Sequence, residues 1–220
     1  MDLIVNHYDK SYVGNIRCEV EFQQVGMQPG TKFTSFFALI GSYQRVIEKY
    51  DYLLLLDDDI YIEEDQITHL FETAERNSLA LAQASLTPDS HCAHPICRNP
   101  GTKGLRFVNA AEIMMPIVSR KALEVGGHLF AQTISGWGLD VAMGKLLAGR
   151  FSGRAAIIDS VIARHTKTID TQNGAFYRML YRANIYPEIE LAHMQKMYKA
   201  GREIYEIGKL PSSSEPKGVA

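Results

Sequence analysis

This chain has too little positive charge for a general polyanion binder and no apolar stretch long enough to cross a bilayer. Lysine and arginine number 23 against 25 aspartates and glutamates, a formal net charge of −2, so no nucleic-acid partner is expected. Three cysteines, Cys18, Cys92 and Cys97, are too few and odd in number for a disulfide framework and favour a reducing compartment. The opening residues, MDLIVNHYDK, lack the basic then apolar order of a secretory signal. Membrane-length apolar runs are missing too. The expectation is a soluble, cytoplasmic protein that can still make peripheral contact with the inner face of a membrane. No GxxxxGK[ST] phosphate loop, internal repeat or interdomain linker is found.

What remains is ordinary globular composition, 46% hydrophobic and 22% charged over 220 residues, which suits one α/β domain with a sizeable core. Strands are expected at Leu3–Val5, Ile16–Phe22, Tyr52–Leu56, Leu79–Ser85 and Ala155–Ala163, with a further apolar segment at Phe107–Val118. Helices are expected at Phe33–Tyr50, Glu63–Arg76, after an N-cap at Ser119, at Asp140–Leu147, and as an amphipathic C-terminal helix over Ile189–Ile207. Pro88–Lys103 reads as a long loop suited to a lid or acceptor-side role. Alternating strands and helices predict a mainly parallel mixed sheet with helices on both faces, which binds ligands beyond the carboxyl ends of its strands. The expected domain covers 1–188. A helix over 189–209 packs on it or on a partner and could support an oligomer, and a disordered tail covers 210–220.

One such strand end carries Asp57-Asp58-Asp59. Three adjacent carboxylates after a buried strand repel one another, and a hard dication relieves that repulsion. Asp oxygens suit Mg²⁺ or Mn²⁺, which take one or two carboxylates plus substrate phosphate oxygens. In an extended segment Asp57 and Asp59 point one way and Asp58 the other. Asp59 is then the direct ligand, Asp57 contacts the ion through water or the donor ribose, and Asp58 faces the sugar. A solvated acidic turn capping the next helix is the plainer alternative.

YDYLLLLDDDIYIE resembles the strand and DxD motif of GT-A-type glycosyltransferases. With VNAAEIMMPIVSR, ISGWGLDVAMG and IIDSVIARHTKTID, in this order, it resembles a group of bacterial and plant proteins placed with those transferases. PGTKFTSFF stands where that group has a GQTKW-like segment, and the likeness spans roughly Asp2 to Thr171. It implies a GT-A-like (Rossmann-like) fold and transfer of a sugar from a nucleotide-diphosphate donor, a UDP-sugar for preference, to a saccharide or glycoconjugate hydroxyl, as in polysaccharide biosynthesis. It also implies His165 as a second metal ligand and Asp140, after Gly136-Trp137-Gly138, as the base of an inverting reaction. Asp140 could instead cap its helix, and Trp137 could offer a flat face to a sugar or belong to the core. Glu112 interrupts an apolar segment and either meets substrate hydroxyls or pairs with an arginine. Lys32 could reach a donor phosphate, although a solvated loop lysine is the commoner outcome, and Tyr8 and Asp9 are placed for a base and ribose, with a plain turn residue as the alternative for Asp9. His91 to Cys97, HCAHPIC, has zinc-like composition without a second pair of ligands, so a flexible acceptor-side loop is favoured. The competing readings are a metal-dependent phosphotransferase or hydrolase, and a catalytically silent sugar-binding module.

Overall fold

In the computed structural model, residues 3–7, 22–27, 31–42, 44–151 and 155–209 are described. The elements in chain order are β1 (Leu3–His7), β2 (Phe22–Met27), α1 (Lys32–Ser42), α2 (Gln44–Ile47), β3 (Tyr52–Leu54), β4 (Ile60–Tyr61), α3 (Glu64–Arg76), β5 (Leu81–Leu86), β6 (Leu105–Val108), β7 (Ile117–Ser119), α4 (Arg120–Gly126), α5 (Leu139–Ala148), β8 (Ala155–His165), α6 (Ala175–Arg182), α7 (Pro187–Tyr198) and β9 (Glu206–Lys209). This is an α/β fold. Strands β1 and β2 pair in parallel as a small sheet, and the main sheet has the order β3-β7-β5-β8-β6-β9 with β4 on β8. Among the described residues no helix is long and apolar enough to cross a membrane.

The main sheet is mostly antiparallel, which corrects the expectation of a mainly parallel one. Only β5 and β8 pair in parallel, whereas β3–β7, β5–β7, β6–β8, β6–β9 and β4–β8 are antiparallel. The physical reason lies in the apolar block Phe107–Val118. It holds the end of β6 and the start of β7, joined by an irregular segment at 109–116 instead of a crossover helix. A connection without a helix lets β7 insert between β3 and β5 in the opposite sense. Strands β3, β5 and β8 nevertheless run the same way, since β7 is antiparallel to both β3 and β5. Their carboxyl ends therefore lie along one edge of the sheet.

Strand β5 is buried along its whole length, and its residues feed two cores. Leu81 faces a cluster with Leu129, Phe130, Val141 and Met194, while Ala82, Ala84 and Leu86 face one with Leu70, Ala74 and Val161. By contrast β3 lies at the sheet edge and is half-buried, not covered on both faces as its leucine run suggests. Ser119 caps α4 as expected, accepting from Ala122 N at 3.2 Å.

Two other boundaries differ. The C-terminal helix stops at Tyr198, where Lys199 adopts a left-handed φ of 52°, and the apolar residues beyond it lead into β9, which pairs with β6. The expected helix Phe33–Tyr50 forms as α1 and α2. Of the expected strand Ile16–Phe22 only Phe22 lies among the described residues, and the expected tail 210–220 lies outside them.

Between Ala84 and Ser85 the β5–β8 register shifts, Ala84 facing Ile158 and Ser85 facing Ile162. The extra residues of β8 begin with Asp159. Its carboxylate accepts from Arg106 Nε at 2.9 Å, Arg106 Nη2 at 2.8 Å and Thr102 Oγ1 at 2.6 Å, and its carbonyl accepts from Asn99 at 2.9 Å. A buried carboxylate so completely partnered ties the irregularity to the loop before β6.

Candidate functional site

The acidic triplet follows β3 but does not continue it in extended form. Asp58 and Asp59 form a turn, closed by Ile60 N donating to Asp57 O at 3.3 Å. The turn replaces the extended backbone on which the expected alternation of Asp57, Asp58 and Asp59 rests. Asp57 meets Lys32, with Nζ to Oδ1 at 2.6 Å. Lys32 also donates to the carbonyls of Ile113 and Met114. Burial pushes the Asp57 carboxyl above the usual range, Lys32 opposes this, and Asp59 and Asp58 add to it. Asp58 is exposed and lies 3.6 Å from Lys167. Asp59 lies 3.4 Å from His165 Nε2 and 3.8 Å from Lys167. Two lysines therefore offset part of the crowding that the sequence assigns wholly to a bound cation.

His165, the last residue of β8, is buried. Its Nδ1 donates to the carbonyl of His91 at 2.6 Å. Because a carbonyl only accepts, Nδ1 carries a proton, and Nε2, which presents a lone pair whenever the ring is neutral, is turned toward the Asp59 carboxylate. Two electron-rich groups so placed fit a cation between them, and an Nδ1–H held by a carbonyl is the usual support of a metal-binding histidine. Among the described residues no group of three or more His, Cys, Asp or Glu is placed to hold an ion. A carboxylate and an imidazole are donors that a divalent cation takes together with water or phosphate oxygen.

Glu112 sits on the irregular segment 109–116 and is 8% exposed. Its carboxylate accepts from Met114 N at 2.8 Å, and its own N–H donates to Gln83 Oε1 at 2.6 Å. Gln83 is fully buried on β5. Burial above all raises the Glu112 carboxyl to about 7, with Asp140 and Asp57 adding to the effect and Met114 N–H and Lys32 opposing it. No arginine pairs with it among the described residues.

Gly138 is the N-cap of α5 with φ 83°, which puts Asp140 inside the first turn and not at the capping position. Asp140 is buried, accepts from Val141 N at 2.8 Å, and lies 3.6 Å from His94 Nε2. The bond to Asp140 raises the His94 pKa, burial opposes this, and Glu112 adds to it. Trp137 is half-buried. It meets Tyr177 edge-on at 6.2 Å, and its Nε1 donates to the Tyr177 hydroxyl at 3.3 Å. It is thus neither deep core nor a free face.

The fold brings Lys32, Asp57 and Asp140 within electrostatic reach of Glu112, and Lys32 and Asp59 within reach of Asp57, with His165 beside Asp59. Tyr8 and Asp9 lie outside the described residues. The loop HCAHPIC builds no zinc site among those residues. Instead His94 turns to Asp140, Cys97 packs at 3.9 Å from Gln83 Oε1, and burial raises both the Cys92 and Cys97 thiols. Sequence reasoning missed His94, Gln83, Lys167 and Tyr177. A polar Gln83 inside the apolar run LALAQASL was the available signal for one of them. No family model matches the chain, and no curated protein matches it.

Proposed function

We propose that this chain is a divalent-cation-dependent glycosyltransferase of GT-A type that moves a sugar from a nucleoside-diphosphate donor, a UDP-sugar for preference, to a saccharide or glycoconjugate hydroxyl. The observation that carries the reading is the arrangement along one sheet edge. Asp59, with His165 Nε2 at 3.4 Å, lies within electrostatic reach of Asp57, and Asp57 lies within reach of the buried Glu112, which in turn neighbours Asp140 and His94. A transferase needs both groups, one for the leaving diphosphate and one for the acceptor.

Asp59 and His165 would hold Mn²⁺ or Mg²⁺, which supplies charge neutralisation for the departing diphosphate. Lys32, whose ammonium is held at the start of α1 by the Ile113 and Met114 carbonyls and by Asp57, adds a positive charge near the same site. Asp140 takes the acceptor hydroxyl proton as that oxygen bonds to the anomeric carbon and the bond from that carbon to the diphosphate oxygen breaks. This is the direction of an inverting displacement. Glu112, which keeps its proton up to about pH 7, serves as a hydrogen-bond donor to a sugar hydroxyl beside Asp140.

The test is thermal unfolding with UDP, with Mn²⁺, and with both. Ligand at about 100 times its Kd stabilises the fold by about 2.7 kcal/mol. UDP plus Mn²⁺ is expected to raise the midpoint most, and Asp59→Asn to abolish the metal-dependent part. A midpoint that no nucleoside diphosphate moves in the presence of any divalent metal removes the basis of the reading.

A further inference from the structure

Asp140 must be aimed as well as present, and the turn ahead of it is built to be held from outside. Gly136 and Gly138 have φ of 84° and 83°, and Ile134 is exposed. A segment so rich in glycine has little stiffness of its own. Its rigidity comes from α7. The Glu190 carboxylate accepts from Thr133 Oγ1 at 3.0 Å, Ile134 N at 2.9 Å and Ser135 N at 2.8 Å. The held groups pass the constraint on, since Gly136 N donates to Thr133 Oγ1 at 2.9 Å and Trp137 N to Ser135 Oγ at 3.2 Å. The same helix closes over the next glycine. A Cβ on Gly138 would lie 2.9 Å from Met194 Cβ and 3.2 Å from Leu191 Cδ1.

We propose that Glu190 is a positioning residue that clamps the 133–138 turn from α7 and thereby sets the direction of Asp140 and Trp137 at the acceptor side. That role rests on the transferase reading, but the clamp itself does not. One charged acceptor with three donors is a stronger constraint than neutral contacts would supply. Two of those donors are backbone N–H groups, so the clamp fixes the path of the chain and not merely a side chain.

Trp137 is the only tryptophan in the sequence and lies on the held turn, so its fluorescence reports on the clamp without any turnover. The full chain is compared as wild type, Glu190→Ala, Glu190→Gln and Glu188→Ala, the last an exposed carboxylate on the same helix. Helix content and a single cooperative melt establish that each is folded. Glu190→Ala is expected to raise acrylamide quenching of Trp137 by roughly twofold, with Glu190→Gln intermediate because it keeps one carbonyl acceptor, and Glu188→Ala unchanged. Should Glu190→Ala fail to fold, Glu190→Gln decides alone. Unchanged quenching in a folded Glu190 variant overturns the clamp. In sugar transfer to a saccharide acceptor, Glu190→Ala is expected to lower kcat by about tenfold or more with donor KM held, the pattern of a misaimed reacting group. A kcat equal to wild type overturns the positioning role. A wild type that transfers no sugar from any nucleotide donor overturns the transferase reading, while the fluorescence result still decides the clamp.

Discussion

Glu112 shows how a single residue can be legible in type and illegible in setting. A lone carboxylate in an apolar segment announces that it has a task, but the partner it finds, a backbone N–H two residues on, could not be read from spacing. Its consequence for stability has a definite sign. The folded pKa of about 7 exceeds the ordinary 4.5, so between those values the native state holds a proton that the unfolded chain has lost. Stability therefore falls as pH rises through that window and levels above it, by about 3 kcal/mol. Glu112→Gln keeps an acceptor for Met114 N and carries no charge. Urea unfolding across that window is expected to show the decline in wild type and its absence in Glu112→Gln, and equal slopes would dismiss the buried proton. Asp57 and Asp59 illustrate the opposite case. The triplet itself was plain in the sequence, while its backbone path was not, because a turn closed by one backbone bond overrides the alternation of a strand.

Elements were legible where periodicity was long and misleading where it was short. Helix α3 and strands β5 and β8 formed within two residues of their expected bounds, because each buries a continuous apolar face. Strand β9 was hidden because the pattern after Tyr198 fits a helical stripe as well as a strand, and only the left-handed Lys199 breaks it. The glycine of α5, Gly144, carries information that patterning ignores. A Cβ on Gly144 would lie 2.0 Å from the carbonyl oxygen of Asn109 and 2.9 Å from Ala110 Cα. Both are backbone positions on the segment leading to Glu112, so α5 would have to lift from it. Gly144→Ala is expected to cost about 3 kcal/mol of strain against about 1 kcal/mol gained in helix propensity. The melting midpoint should drop by roughly 4–8 °C, and an unchanged midpoint would contradict such close packing of helix on backbone.

At the scale of the whole molecule, the α/β class followed from the alternation of elements, but strand direction did not. Direction depends on where a connection returns, and the irregular 109–116 segment supplies no helical signature from which to infer it. What survived the correction was the rule that matters for the site, because β3, β5 and β8 still end together.

The register offset in β8 makes that meeting a matter of parity. From Val161 onward, Val161, Ala163 and His165 point inward while Ile162 and Arg164 are exposed. One residue fewer in the irregular stretch exchanges the two sets, sending the imidazole to solvent and leaving Thr166 in its place beside Asp59. Deleting Ser160 is therefore expected to erase the manganese-dependent thermal shift while β5 and the rest of the sheet stay paired. If the shift persists in that deletion, the odd–even phase of this strand has no hold on the cation.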